Sequence, residues 1–315
     1  MYYIGVDLGG TTIKVGLINE EYKIVQTAVC DTKAERPPDE ILKDMAFLCK
    51  EVMKKENISE EDVDSIGIGC PGLAIPQDGI LLTSPNLQTF KNTNVKAEIQ
   101  KYINLPVYIE NDANVAALGE VINGAAKGVK SAVVVTLGTG VGGGIIIDGK
   151  IYSGAFFGAG EIGHHSILFK DGYKCGCGRT GCWEQYASAT ALIRDAKIAV
   201  ENRDSKIKEL TNGGAINAKI IFDAAQAGDE VANKLLDQYF KFIGIGVLNL
   251  INILQPQMIV LGGGMSAQKE NLINPVVKYL KENMFGGLEL RTEIKAADLG
   301  NDAGIIGAGL LGKSL

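Results

Sequence analysis

Histidine, tryptophan and clustered basic residues are scarce in this chain: two His and one Trp occur among 315 residues. Imidazole chemistry is therefore confined to His164 and His165. No basic stretch is longer than Lys54-Lys55 and the net charge is −6, which argues against a nucleic-acid-binding surface. The N-terminus, MYYIGVDLGG, lacks the basic region and unbroken apolar core of a secretory signal, because Asp7 interrupts it. Residues 131–147 carry no charge, but they are crowded with glycine and threonine and read as two strands, so no membrane span is expected. Cys30, Cys49 and Cys70 stand singly, which is not the pattern of a secreted disulfide framework. No flexible linker or low-complexity tract appears. A cytoplasmic enzyme of two ordinary-sized domains is the simplest expectation.

What the chain has in excess is glycine, 40 residues, which predicts many tight turns near ligands. The densest chemistry lies in residues 154–186, which hold both histidines and three of the six cysteines, Cys175, Cys177 and Cys182, spaced C-x-C-x4-C. Three thiolates and an imidazole are the ligand set of a closed, tetrahedral structural zinc site. Gly176, Gly178 and Gly181 permit the turns that converge the sulfurs. The alternatives are unpaired loop cysteines or a disulfide; the neighbouring histidines favour zinc. Glu161 and Glu184 flank this loop, placed either to grip a polyhydroxylated ligand or as solvated surface acids.

Two glycine turns elsewhere look alike. YIGVDLGGTTIKVGLI sets Asp7, Gly9, Gly10, Thr11, Thr12 and Lys14 on or beside a turn between two strands. Its backbone N–H groups and hydroxyls can cradle a phosphate, and the strand-end acid can hold Mg2+ through water. By itself such a turn is weak evidence. The pattern returns in VVVTLGTGVGGGIII at 133–147, with Val6-Asp7-Leu8-Gly9 matching Val135-Thr136-Leu137-Gly138, which suggests a duplicated domain. Between the repeats, residues 37–56 form an amphipathic helix, with Ile41, Leu42, Met45, Leu48, Cys49, Val52 and Met53 in a 3.6 period. The strand 64–70 stops at Pro71-Gly72, and GIGCPG fails as a dinucleotide fingerprint because LAIPQDG makes a loop where a helix is needed. A strand at 107–110 then runs into an alanine-rich helix beginning at Asp112. Asn111 and Asp112 thus sit at a junction where such residues commonly cap helices. Further helices are expected at 188–202, 206–210, 218–227, 229–254 and 269–281, strands at 258–261 and 291–295, and a small-residue helix from 303. Gly307–Ser314 satisfies G-x4-G-K-S, yet too little chain follows to open a helix, so a P-loop is rejected.

Glu161-Ile162-Gly163-His164 followed by CGCGRTGCWE, 175–184, resembles the signature of the ROK family of sugar kinases and sugar-responsive repressors, and the resemblance runs the whole chain. It implies an α/β, two-lobed actin-like or hexokinase-like ATPase (ribonuclease H-like) fold with a structural zinc loop. Residues 1–115 are expected to form a first lobe completed by a C-terminal helix at 303–315, and 116–302 a second lobe with the adenosine side. By resemblance Asp112 is the catalytic base, and Gly72, Asn111, Asp112, Glu161, His164 and Glu184 bind the sugar. Asp7, Gly9, Gly10, Thr11, Thr12, Lys14, Thr136, Gly138, Thr139, Gly140, Gly263 and Gly264 serve ATP and Mg2+ (as cofactor). The zinc ligands become His164, Cys175, Cys177 and Cys182; His165 would give the commoner loop spacing but breaks the ExGH pattern. The implied activity is ATP-dependent phosphorylation of a hexose 6-hydroxyl, glucose first. Kinases for N-acetylmannosamine, N-acetylglucosamine or fructose are the alternatives within the family. Family kinases acting on glucose typically carry Glu at position 161, whereas many bacterial N-acetylmannosamine kinases have His. A sugar-responsive repressor fits less well, because the first glycine strand starts near Met1 with no DNA-binding domain ahead of it. We expect hexose and ATP as partners, no nucleic acid or membrane, and a homo-oligomer (dimer or tetramer).

Overall fold

The computed structural model of the protein describes residues 1–314. Strands β1 (Tyr2–Leu8) and β2 (Thr12–Ile18) form an antiparallel hairpin across the first glycine turn, extended by β3 (Ile24–Asp31). Helix α1 (Pro38–Lys55) starts on a proline, with Asp39 and Glu40 in its first turn and Lys54 and Lys55 in its last, so both ends complement the helix dipole. Its buried residues are the apolar stripe read from the sequence together with Ala46.

Strand β4 (Val63–Cys70) follows. The stretch LAIPQDG, expected to be a loop, instead contributes to β5 (Leu73–Ile75) and to the turn before β6 (Ile80–Thr83). With β7 (Lys91–Asn94) these make a three-stranded antiparallel sheet. Strands of three or four residues carry too little alternation to be read above Pro and Gly punctuation. Next come α2 (Val95–Gln100), β8 (Val107–Asn111) and α3 (Asp112–Asn123). The first large sheet runs β3-β2-β1-β4-β8, with β4 parallel to both β1 and β8.

The second hairpin is β9 (Ala132–Leu137) and β10 (Val141–Ile147), followed by β11 (Lys150–Ile151). After the cysteine loop come α4 (Glu184–Ala187), α5 (Ala189–Val200), α6 (Lys206–Leu210), α7 (Ala218–Gln226) and α8 (Glu230–Leu254). Gln255, in the left-handed region at φ 43°, terminates α8 ahead of Pro256. The chain continues through β12 (Met258–Gly262), α9 (Glu270–Asn283), β13 (Glu293–Ala296), α10 (Ala303–Gly309) and α11 (Leu311–Ser314). The second large sheet runs β11-β10-β9-β12-β13, so the fold is α/β with mixed sheets. The expected helix 303–315 is two short helices, and Leu315 lies outside the described residues. The G-x4-G-K-S pattern is carried on these helices and not on a strand-to-helix loop. Among the described residues, no helix is long and apolar enough to cross a membrane.

Contacts divide the chain into two compact units, Met1–Val134 with Gly144–Gly160 and Asp298–Leu315, and Val135–Gly143 with Glu161–Ala297. In the first, one face of the sheet packs on α1 through Val15, Leu17, Ile41, Met45 and Ile66. Helix α10 belongs to this unit and lies in backbone contact with β1, β4 and α3. A Cβ at Gly5 would stand 1.9 Å from Ile305 O, at Gly67 1.7 Å from Ala308 O, and at Gly307 1.7 Å from Val115 O. None of these three has positive φ, so part of the glycine surplus serves close packing and not turns. In the second unit, fully buried Trp183 occupies the space beside Gly246 of α8, where a Cβ would meet the indole at 2.0 Å.

Candidate active site

The first glycine turn is held by a residue far along the chain. Gly9 N donates to Thr12 O at 3.0 Å and Thr32 N to Thr11 O at 2.8 Å. The buried Thr32 hydroxyl donates to Gly9 O at 2.6 Å. Asp7 and Lys14 face each other in the hairpin register. Burial raises the Asp7 carboxyl above its usual range, partly countered by Lys14. Gly10 packs on Asn86, where a Cβ would meet the Asn86 Cβ at 3.1 Å. Asp7, Gly9, Gly10, Thr11, Thr12 and Lys14 are thus gathered at one hairpin end.

In the same unit, β8 delivers Asn111 and Asp112 to the start of α3. The sequence left open which of them caps the helix; Asn111 does, its Oδ1 accepting from Ala113 N (2.9 Å) and Asn114 N (3.2 Å). Its Nδ2 donates to Gly72 O at 3.0 Å. Gly72 has φ +109°, and a Cβ there would lie 2.3 Å from Thr83 O, so only glycine fits this turn. Asp112 is exposed in the first helical turn, its Oδ1 accepting from Ala113 N at 2.8 Å.

The second unit gathers the remaining candidates. One ligand atom each from His164, Cys175, Cys177 and Cys182 lies within 4.8 Å of the others. His164 Nδ1 is 3.6 Å from Cys175 Sγ, and the Cys177 and Cys182 sulfurs are 3.5 Å apart. A tetrahedral zinc with Zn–S bonds of about 2.3 Å has edges of about 3.7 Å, so the donor set fits. A hydrogen bond from the Arg179 backbone lowers the Cys177 thiol to about 6, while burial and the neighbouring sulfurs raise Cys182 to about 12. His165 is not part of this cluster. Its Nδ1 meets Ile162 O, its Nε2 lies 3.5 Å from Asn249 Nδ2, and its ring packs on Trp183 at 5.2 Å.

His164 turns its other nitrogen, Nε2, toward Glu161 at 3.9 Å. Glu184 joins the cysteine loop to the second glycine turn: Cys175 Sγ donates to its Oε1 at 3.7 Å and Val141 N to its Oε2 at 3.1 Å. That turn carries Thr136, Gly138, Thr139 and Gly140, and it is closed by Gly138 N donating to Gly140 O at 3.0 Å. Gly263, at φ +73°, brings the third glycine turn against it, since a Cβ there would lie 2.5 Å from Leu137 O. Gly264 begins the short helix that follows.

Three functional supports escaped the sequence reading. Thr32 braces the first turn, as described. Glu120, 1% exposed, accepts from Ala125, Asp298 and Leu299 N–H groups and so anchors the returning chain to α3. Glu110, 4% exposed, sits directly before Asn111. Their partners lie at long sequence distance, in backbone groups or, for Glu110, also in the Asn114 side chain four residues on, and no local pattern marks them.

The ROK family profile matches residues 3–314. A glucokinase of Halalkalibacterium halodurans is 36% identical over 314 residues, covering 99% of this chain and 95% of the relative. An N-acetylgalactosamine kinase of Shewanella is 32% identical, covering 100% and 97%. Among solved structures, a ROK glucokinase from Streptomyces griseus in complex with glucose and AMPPNP superposes with TM-score 0.83 at 35% identity, covering 99% of both chains. With glycine hairpins, an Asn-Asp helix start and a Cys3His cluster all on one α/β scaffold, the chain belongs to the ROK family.

Proposed function

We propose that the protein is an ATP-dependent hexose kinase that phosphorylates the 6-hydroxyl and prefers glucose. The observation that carries this reading is the start of α3, where Asn111 is spent on capping the helix and holding Gly72 O while the exposed Asp112 carboxylate stands beside it. In the proposed step the Asp112 carboxylate takes the proton of the 6-hydroxyl as that oxygen attacks the γ-phosphorus of ATP. The new O–P bond forms, the bond from the γ-phosphorus to the β,γ-bridging oxygen breaks, and ADP leaves with the electron pair. The proton on Asp112 then passes to solvent.

Phosphoryl transfer asks the protein mainly for positioning and charge stabilisation. In the glycine turns at Gly9–Thr12 and Gly138–Gly140 the N–H groups of Gly9 and Gly138 close the turn, and those that follow them would serve the phosphates, with Gly263 and Gly264 on the adenosine side. Mg2+, held through water by Asp7, would neutralise phosphate charge. His164, Cys175, Cys177 and Cys182 would hold a structural zinc that shapes the loop bearing Glu161 and Glu184. Glu161, with most of its side chain exposed, is the acceptor for sugar hydroxyls; His164 Nε2 is the matching donor. Asn111 and Glu184 already make protein hydrogen bonds, so they orient the sugar site as well as touch it.

The choice of glucose rests on Glu161, a carboxylate able to accept from ring hydroxyls, beside which a 2-acetamido group would have to fit. The test is kcat/KM for glucose, mannose, fructose and the N-acetylhexosamines in a coupled ADP-release assay. Glucose should lead. An N-acetylhexosamine in first place overturns the sugar assignment, and no ADP release with any hexose overturns the kinase assignment. Asp112→Asn should lower kcat by about 10²–10⁴, and a near-wild-type rate would remove Asp112 from the mechanism.

A further inference from the structure

Glu110 is a carboxylate that the reaction described above does not use, and it is almost wholly buried. A buried ionised carboxylate is costly unless donors surround it. Three do. Its Oε1 accepts from Asn111 N at 2.8 Å and from Asn114 Nδ2 at 3.1 Å. Its Oε2 accepts from Ser153 Oγ at 2.8 Å. One side chain therefore grips the residue immediately before Asp112 and the residue two after it.

The neighbouring bonds give the same turn little freedom. Asn111 Oδ1 receives the Ala113 and Asn114 N–H groups, and Asn111 Nδ2 holds Gly72 O. Asn114 is 1% exposed, and its Oδ1 has no hydrogen-bond partner. Turning that amide over would set its oxygen against the Glu110 carboxyl oxygen, acceptor facing acceptor, so the contact with Glu110 fixes the orientation. Strand β8, the first turn of α3 and the segment at Ser153 are joined through this one group.

We propose that Glu110 is a positioning residue for Asp112: through Asn111 N–H and Asn114 it fixes the backbone turn that carries the base. The proposal rests on the kinase reading of Asp112. A displacement of about 1 Å at a reacting group can cost about 10²-fold in rate. Removing all three hydrogen bonds should therefore act on kcat far more than on hexose KM, which moves only as far as Asn111 shifts with the turn. Glutamine in place of glutamate keeps an oxygen for Asn111 N–H and Asn114 Nδ2, and its amide can donate to the Ser153 hydroxyl. The turn should survive that exchange.

The test is steady-state kinetics and thermal denaturation of Glu110→Ala, Glu110→Gln and Ser153→Ala, using whichever hexose gives the highest kcat/KM, with Asp112→Asn run alongside. Glu110→Ala should lose about 10²-fold in kcat while KM for hexose and for ATP moves by less than about fivefold. Glu110→Gln should recover kcat to within about tenfold of wild type, on the scale of that same positioning effect. A kcat for Glu110→Ala within threefold of wild type overturns the proposal, as does a Gln variant as slow as the Ala variant. If Glu110→Ala does not fold, Ser153→Ala decides: a several-fold drop in kcat at unchanged KM supports positioning, and an unchanged kcat overturns it. The two readings fail differently. An active Asp112→Asn sinks the assignment of the base, whereas an inactive Asp112→Asn beside a fully active Glu110→Ala sinks the role of Glu110 alone.

Discussion

Replacing Gly307 with alanine would separate packing from helix propensity inside a single short helix. A Cβ at this position would lie 1.7 Å from Val115 O and 2.7 Å from Gly119 N, both backbone atoms of α3. An ordinary contact needs more than 3 Å, so α10 and α3 would have to part by more than an ångström. Overpacking a core costs about 1–3 kcal/mol, and backbone cannot rotate aside, which places this site near the upper figure. Alanine recovers roughly 1 kcal/mol of helix propensity, leaving a net loss of about 2 kcal/mol. At about 2–4 °C per kcal/mol for larger domains, Tm should fall by about 4–8 °C. Gly304, on the same helix, supplies the control, since a Cβ there meets nothing within 4 Å. Gly304→Ala should keep the propensity gain and raise Tm by about 2–4 °C. Circular dichroism melts of both variants read the difference directly. If both raise Tm, α10 is not in backbone contact with α3 and the packing argument fails.

Asp7→Asn should stop Mg2+-dependent turnover yet raise Tm at neutral pH. The folded pKa of Asp7 is raised by burial, so its ionised form weakens the fold above that pKa, and the penalty disappears below the unfolded value, about 4; melts at pH 7 and near pH 4 should show the gap between variant and wild type closing on acidification. A gap that does not change with pH would rule out burial of the charge as its source. Metal analysis of the purified protein should find about one zinc per chain, and Cys177→Ser should lower zinc content, Tm and hexose affinity together; a wild-type protein without zinc removes the structural role given to the cluster. Gly263→Ala forces a side chain into a φ of +73° and against Leu137 O, strain of about 1–3 kcal/mol, and the ATP KM should rise by about tenfold while the hexose KM stays put. Equal changes in both would detach that turn from the nucleotide.

Features legible in the sequence are those written within one short stretch. The stripe of α1 repeats every turn, the two glycine hairpins have the same pattern, and Cys175, Cys177 and Cys182 converge because glycines lie between them. The choice between His164 and His165 rested on a motif, whereas the structure separates them by surroundings: sulfur for one, Trp183 and Asn249 for the other. Glu110 and Glu120 carry no such signal, because an acid on a strand or helix gives no sign of burial, and their partners Ser153, Asp298 and Leu299 lie 43, 178 and 179 residues away. The glycine surplus as a whole predicts turns, yet Gly5 and Gly67 lie within strands, and composition cannot distinguish a positive φ from a missing Cβ that a neighbouring carbonyl requires. Strands β5 and β6 were too short to show a period.

The placement of α10 also governs the order in which this protein can be made. Helix α3 and strands β1 and β4 are translated early, but the surface they present through Gly5, Gly67 and Gly119 is filled by a helix that leaves the ribosome almost 200 residues after Gly119. Until then, that glycine-lined face has no partner within its own unit, while the second unit, whose residues end at Ala297, is already complete in sequence. The turn carrying Asp112 thus reaches its final support only as synthesis passes Ala303. A nascent chain arrested before that point would carry every residue assigned here to sugar, phosphate and metal, and still lack the helix on which α3 is seated.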